Sequence, residues 1–148
     1  MKAFVGFTFF LLFLAGIIFT TMLGSQSAQK NMLGGGASLT GITWRAVRIG
    51  DEVVPADSGV LVNFEVDGGI NGSGGCNTFR GSLLQSDSGL TVSPLATTKM
   101  ACPAIIMDRE DEFFRAIQAM RQFQGSGDSL QLLDENDHVL IDFVAGAQ

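Results

Sequence analysis

The sequence predicts an α+β domain that is predominantly β: a small antiparallel, barrel-like sheet with one α-helix packed on it. Three observations lead there. Several short β-prone stretches are separated by Gly, Asp and Pro turn signals. A single late segment repeats apolar residues at helical spacing. Two further apolar runs then face each other across a polar turn. Strands followed by one helix suit a sheet that curls toward closure, with the helix over one opening to protect the edges.

The chain starts with Met1-Lys2 and then 21 uncharged positions, Ala3 to Leu23, rich in Phe, Leu and Ile. One positive charge before an apolar run reads as an export signal, and the run is near the ~20 residues that span a bilayer. Two readings of residues 1–27 stand: a signal peptide cleaved after Ser27, with Ser25 and Ser27 as the small flanking residues, or a retained membrane anchor. No Cys follows the run to carry a lipid. Both readings place the rest outside the cytoplasm, in the periplasm, secreted or tethered to the inner membrane. Residues 28–38, with Gly34-Gly35-Gly36, have the composition of a flexible linker. Residues 39–148 then form one domain.

Within it, Thr43 to Ile49 is β-prone, Gly50-Asp51 turns, and Val53-Val54 stops at Pro55. Leu61 to Val66 alternates, with Val62, Phe64 and Val66 on one side. Asp67-Gly68-Gly69 turns it. Ile70 to Leu84 is Gly-punctuated, and Leu90 to Ser93 is another short strand. Asp108 to Gln122 reads as the helix: Ile106, Phe113, Ile117 and Met120 form a stripe that Phe114 widens. Asp108 is the expected N-cap, the acids Asp108, Glu110, Asp111 and Glu112 crowd the start, and Gly125 lies beyond the end. Asp111 and Arg115 sit at i,i+4. Leu130 to Leu133 and Val139 to Phe143 form the last hairpin, with Leu130 and Leu132 on one face and Val139, Ile141 and Phe143 on the other strand's face.

Composition narrows the function. Lys2 is the only charge before residue 28, so the remainder carries 8 Lys/Arg against 15 Asp/Glu, a net of −7. That balance disfavours nucleic acid and anionic lipid, leaving a membrane role only to the N-terminal segment. One His and two Cys exclude multi-His metal sites and Cys-rich zinc modules. Asp134 to Asp137 lacks the spacing and Gly of a calcium loop. No metal and no cofactor is expected.

Two segments stand out together. Gly72 to Gly81 reads GSGGCNTFRG, and Leu95 to Pro103 reads LATTKMACP. With Trp44 in the first strand, the acidic helix start and the closing Leu-x-Leu hairpin, this ordered set resembles the META-domain family, the HslJ-like heat-shock proteins of the bacterial envelope. The resemblance spans roughly Leu39 to Val144. It implies a small barrel-like β fold with one helix and an envelope or stress-related role, without an enzymatic reaction. The motif positions are Gly75, Cys76, Asn77, Phe79, Gly81, Thr98, Met100, Ala101, Cys102 and Pro103. The chain departs from the family at Ser82-Leu83-Leu84, where members often carry an aromatic, and at Lys99, where Arg is common.

Cys76 and Cys102 have three readings: a structural disulfide, two buried free thiols, or a reactive pair. An even Cys count in an exported chain favours the disulfide, which would contribute ~3.5 kcal/mol by the chain-entropy argument. Without Cys-x-x-Cys, redox catalysis is disfavoured. Gly72, Gly74 and Gly75 lack the Gly-Lys-Ser/Thr ending of a phosphate loop and read as a tight bend, with Asn77 capping the same turn. His138 reads as a solvent-facing strand residue, because no nucleophile elbow accompanies it. Arg109 to Glu112 reads as a solvated helix face, Met120 and Trp44 as core, and Met100 and Met107 as candidates for an adaptable apolar groove. No catalytic residue is assigned. The expected protein is a monomeric, non-enzymatic binding module whose partner is an envelope protein or a small ligand. The alternatives are a carrier with an apolar barrel cavity and, last, a thiol enzyme.

Overall fold

A computed structural model describes residues 39–86 and 89–146. The leader 1–27 and the linker 28–38 lie outside the described residues.

β1 (Thr43–Ile49) buries Trp44, Ala46 and Ile49. Strict alternation would turn Arg48 inward. A register shift between Ala46 and Arg48 inserts one extra residue, so Arg48 faces out and Ile49 faces in. β2 (Glu52–Val53) folds back on β1. β3 (Val60–Phe64) buries Val60, Val62 and Phe64. Val66, expected on that same inward face, is instead 90% exposed. The strand ends at Phe64, because the Glu65 amide donates to Gly69 O at 2.8 Å and the Gly68 amide donates back to Glu65 O at 3.1 Å. β4 (Gly69–Gly74), β5 (Thr78–Ser86), β6 (Gly89–Val92) and β7 (Ala96–Thr97) follow.

α1 (Ala104–Ala119) starts four residues earlier than expected and ends three earlier. Pro103 sets the start: its carbonyl accepts from the Ile106 and Met107 amides at 2.9 and 3.2 Å. Asp108 therefore lies inside the helix and is not its N-cap, and no side chain caps the start. The acids fall after the first turn and Arg121 beyond the last, which removes the expected dipole match. Arg115 Nε bonds the backbone oxygen of Asp111, not its carboxylate. Met120 turns extended, and β8 (Gln122–Ser126) begins where the helix was expected to continue. Gly125 is thus a strand residue opposite Leu130. The alternating apolar signal of β8 is a single Phe123, too little to announce a strand.

β9 (Ser129–Leu133) and β10 (Val139–Ala145) form the closing hairpin, with Leu130 opposite Phe143 and Leu132 opposite Ile141. A register irregularity between Val139 and Ile141 leaves Val139 more exposed than its two partners on the strand. The strand order is β6-β5-β4-β3-β1-β10-β9-β8, with every neighbouring pair antiparallel. The two ends of this sheet nearly meet. The Leu90 amide donates to Arg121 O at 2.9 Å, just before β8, and gives a barrel-like sheet one short of full closure.

α1 packs against β1, β4, β6 and β10. Phe113 and Ile117 are buried, and Met120 just beyond the helix joins them. The Phe113 ring sits 5.8 Å from Phe79 and 6.4 Å from Phe143, edge-on to both. Trp44 is fully buried, and its indole donates to Leu39 O at 3.0 Å, so it anchors the core as expected.

Candidate functional site

The bend between β4 and β5 and the loop before α1 meet at one place. The sequence needs a four-residue reversal at Gly74 to Asn77, closed by the Gly74 amide donating to Asn77 O at 2.8 Å. Gly75 takes φ +108°, a region where side chains are strained. Gly74 is required for a different reason. A Cβ there would stand 2.7 Å from Glu110 Cγ and 2.9 Å from the Phe114 ring.

Glu110 enters that gap. It is 2% exposed. Its Oε2 accepts from the Cys76 amide at 3.1 Å and the Asn77 amide at 2.5 Å, and its Oε1 accepts from Asn77 Nδ2 at 2.5 Å. A buried carboxylate needs such donors to offset its lost hydration. The expectation that residues 109–112 form a solvated face is corrected at this residue. Asn77, also buried, does not cap its own turn as expected: the backbone closes that turn, and the Asn77 side chain reaches out to other elements. Its Oδ1 accepts from Thr98 Oγ1 at 2.9 Å and from the Met100 amide at 2.7 Å. Thr98 is further tied to Thr78 in both directions, by its own amide at 3.1 Å and by its hydroxyl at 3.1 Å. The chain of bonds from α1 through Glu110 and Asn77 to Thr98 and Met100 joins the two motif segments.

Cys76 and Cys102 complete the junction as a disulfide, with Cα atoms 6.1 Å apart and a sequence separation of 26. The other motif residues divide by role. Phe79 is buried between Phe113 and Phe114. Gly81 faces the Leu95 side chain, which a Cβ would approach to 2.7 Å. Met100, Ala101 and Pro103 are exposed. His138 is exposed and far in sequence from the junction; its Nδ1 lies 3.1 Å from Asp134 Oδ2. Desolvation raises the Asp134 pKa, but the His138 and Asn136 amides and the His138 ring together outweigh it and hold the carboxyl below its ordinary value.

The sequence carried one overlooked signal for Glu110. Residues 106, 110, 113 and 117 fall at i, i+4, i+7 and i+11, so Glu110 lies on the apolar stripe and not opposite it. A carboxylate on that stripe implies buried donors waiting for it.

Two hollows lie on the outer surface of the described residues. A hollow of about 460 Å³ is lined by Glu52, Ile105, Asp108, Arg109, Asp111, Glu112 and Arg115. A second, of about 430 Å³, runs over the outer face of β1, β10, β9 and β8 beside Arg48, Gln124, Gln131 and Asp142. Between the sheet and α1, the space is occupied by Phe79, Phe113, Phe114, Phe143 and their aliphatic neighbours. The inward-facing cavity that an apolar carrier needs is therefore not where the barrel core lies.

The META domain family model matches residues 37–147, which takes in both motif segments, the helix and the closing hairpin. The chain belongs to the META domain family. A comparison with curated proteins finds no match. Among solved structures, a DUF4847-family protein from Bacteroides vulgatus is similar, with a TM-score of 0.53 and 20% identity over 74% of this chain and 96% of that one. A protein from Burkholderia xenovorans solved by NMR is similar at a TM-score of 0.57 and 22% identity, over 74% of this chain and 85% of that one. At such identities the likeness concerns the fold. The META motif residues acquire a physical meaning here: Gly75, Cys76, Asn77, Thr98 and Cys102 build the junction, Phe79 and Gly81 pack beside it, and Met100 to Pro103 are what it holds.

Two outcomes follow from this geometry. Cys76→Ala or Cys102→Ala should each cost roughly 2–5 kcal/mol in urea unfolding, and reductant should lower the wild-type midpoint by a matching amount. Identical wild-type curves with and without reductant would contradict this. Gly74→Ala should cost about 1–3 kcal/mol by overpacking Glu110 and Phe114, whereas Gly41→Ala, which meets no atom within 4 Å, tests only backbone strain.

Proposed function

We propose that this META-domain protein works outside the cytoplasm in the bacterial envelope, as a stress-related accessory that binds and does not catalyse. The Cys76–Cys102 bridge is the main support, because such bonds persist in oxidising compartments. The charged Met1-Lys2 start and the apolar run to Leu23 point the same way. Among the described residues, no helix is long and apolar enough to cross a membrane, so any tether falls to the N-terminal segment. The chemistry-bearing groups already have structural work: both thiols are bridged, and both Glu110 oxygens are occupied by Cys76 and Asn77.

The test is the intact mass of the protein made with its own leader in a Gram-negative host, after fractionation and alkylation without reductant. A periplasmic product without label supports the reading, with loss of residues 1–27 meaning cleavage and a full-length mass meaning an anchor. A cytoplasmic product with two labels would overturn the location. Turnover of a substrate that is lost in Cys76→Ser or His138→Ala would overturn the non-enzymatic part.

A further inference from the structure

The segment from Thr98 to Pro103 has no regular secondary structure, yet it is tied down at several points. Thr98 bonds Thr78 and Asn77, the Met100 amide bonds Asn77 Oδ1, and Cys102 is bridged to Cys76. These ties bury little of the segment's own apolar surface. Met100 is 57% exposed and Ile105, just inside α1, is 68% exposed; Ala101, Pro103 and Ala104 between them are exposed too. A continuous apolar stretch held rigid in solvent is the signature of an association surface, since preorganisation lowers the entropy cost of binding.

The neighbouring hollow indicates what fits there. Ile105 forms part of its wall, with Glu52, Asp108, Asp111 and Glu112 against Arg109 and Arg115. Arg109 is held by Glu52 at 3.1 Å, and Arg115 Nε by the Asp111 carbonyl at 3.2 Å. Four carboxylates therefore face two guanidinium groups, and the hollow keeps a net negative charge on the side of Asp108, Asp111 and Glu112. Lys99 lies at the opposite end of the apolar stretch, so the acidic pole is on the α1 side.

We propose that Met100 to Ile105 and the acidic hollow form one docking surface for a cationic amphipathic polypeptide segment. Its apolar side chains would cover Met100 and Ile105, and its Lys or Arg residues would face Asp108, Asp111 and Glu112. This rests on the binding-module reading and names the kind of partner. Charge selects the occupant: anionic lipid is repelled by the same carboxylates, and a second copy carries the same net negative charge.

The test uses the exported protein with its bridge intact and a synthetic amphipathic Lys/Leu peptide as probe, followed by calorimetry and amide NMR shifts. The expected result is shifts concentrated from Lys99 to Glu112. Ile105→Ser should weaken binding about tenfold, and Asp108→Lys with Asp111→Lys should weaken it further, both with unchanged thermal melting. Salt raised from about 50 to about 500 mM should also weaken it, and a Glu/Leu peptide should not bind. Shifts centred on Asp134 to Asp137, binding indifferent to Ile105→Ser, or binding of anionic vesicles in place of the peptide would each overturn the proposal. None of these would disturb the envelope location, which the intact mass tests separately.

Discussion

Glu110→Ala is expected to destabilise the domain by about 3–5 kcal/mol, as measured by urea unfolding with the disulfide intact. The substitution strands three buried donors at once, the amides of Cys76 and Asn77 and the Asn77 side chain. Each unsatisfied donor costs about 1–3 kcal/mol before relaxation. A domain of this size has about 5–15 kcal/mol in total, so the loss is a large share. Glu110→Gln keeps the shape and one acceptor but turns an NH2 group toward a donor, and should recover only part. The neighbouring Glu112→Ala should change stability by no more than about 0.5 kcal/mol. A Glu110→Ala variant that unfolds within that same margin of wild type would show that the junction does not depend on this carboxylate.

Ile117→Asp is expected to prevent folding. Ile117 is 1% exposed on α1, one turn from Phe113 and close in sequence to buried Met120. A charge there has no donor prepared for it, unlike Glu110, and an unpaired buried carboxylate costs more than the domain can supply. Far-UV circular dichroism and amide NMR should show a chain without the β signature. A soluble variant with native dispersion would mean that this face of α1 does not carry the core. The comparison is instructive because both positions lie on the same apolar stripe: one acid is required, the other is excluded, and the difference is the presence of the β4–β5 bend.

Much of this was readable in the sequence, and the failures have physical causes. Alternation located β3 and the β9–β10 hairpin, because one buried face leaves a period of two, and β-propensity located β1, whose bulge breaks that period. The helical stripe located α1 but not its ends. Asp108 looked like a cap, while Pro103 opened the helix four residues earlier without any side-chain cap. β8 was invisible: Gln122, Gln124 and Ser126 are exposed, and its pairing with β9 comes from the hairpin and not from its own apolar content. Val66 was misplaced because a hydrophobic residue in a turn continues the alternation without belonging to the strand. The motif residues around Cys76 were legible as a set. The link between the two segments was not, since it passes through Glu110, which the charge run 109–112 concealed.

β1 lies between β3 and β10, and this position delays the assembly of the whole barrel. Its pairing with β3 joins residues such as Thr43 and Asn63, 20 apart, whereas its pairing with β10 joins residues such as Arg48 and Asp142, 94 apart. The longer closure costs roughly 1.4 kcal/mol more in loop entropy. It also cannot begin before β10 has been synthesised. Until then one edge of β1 lacks the strand that pairs with it. The pairs β3–β4, β4–β5 and β9–β10 join neighbours in sequence, so the one distant seam, β1 with β10, is what sets the pace of closure.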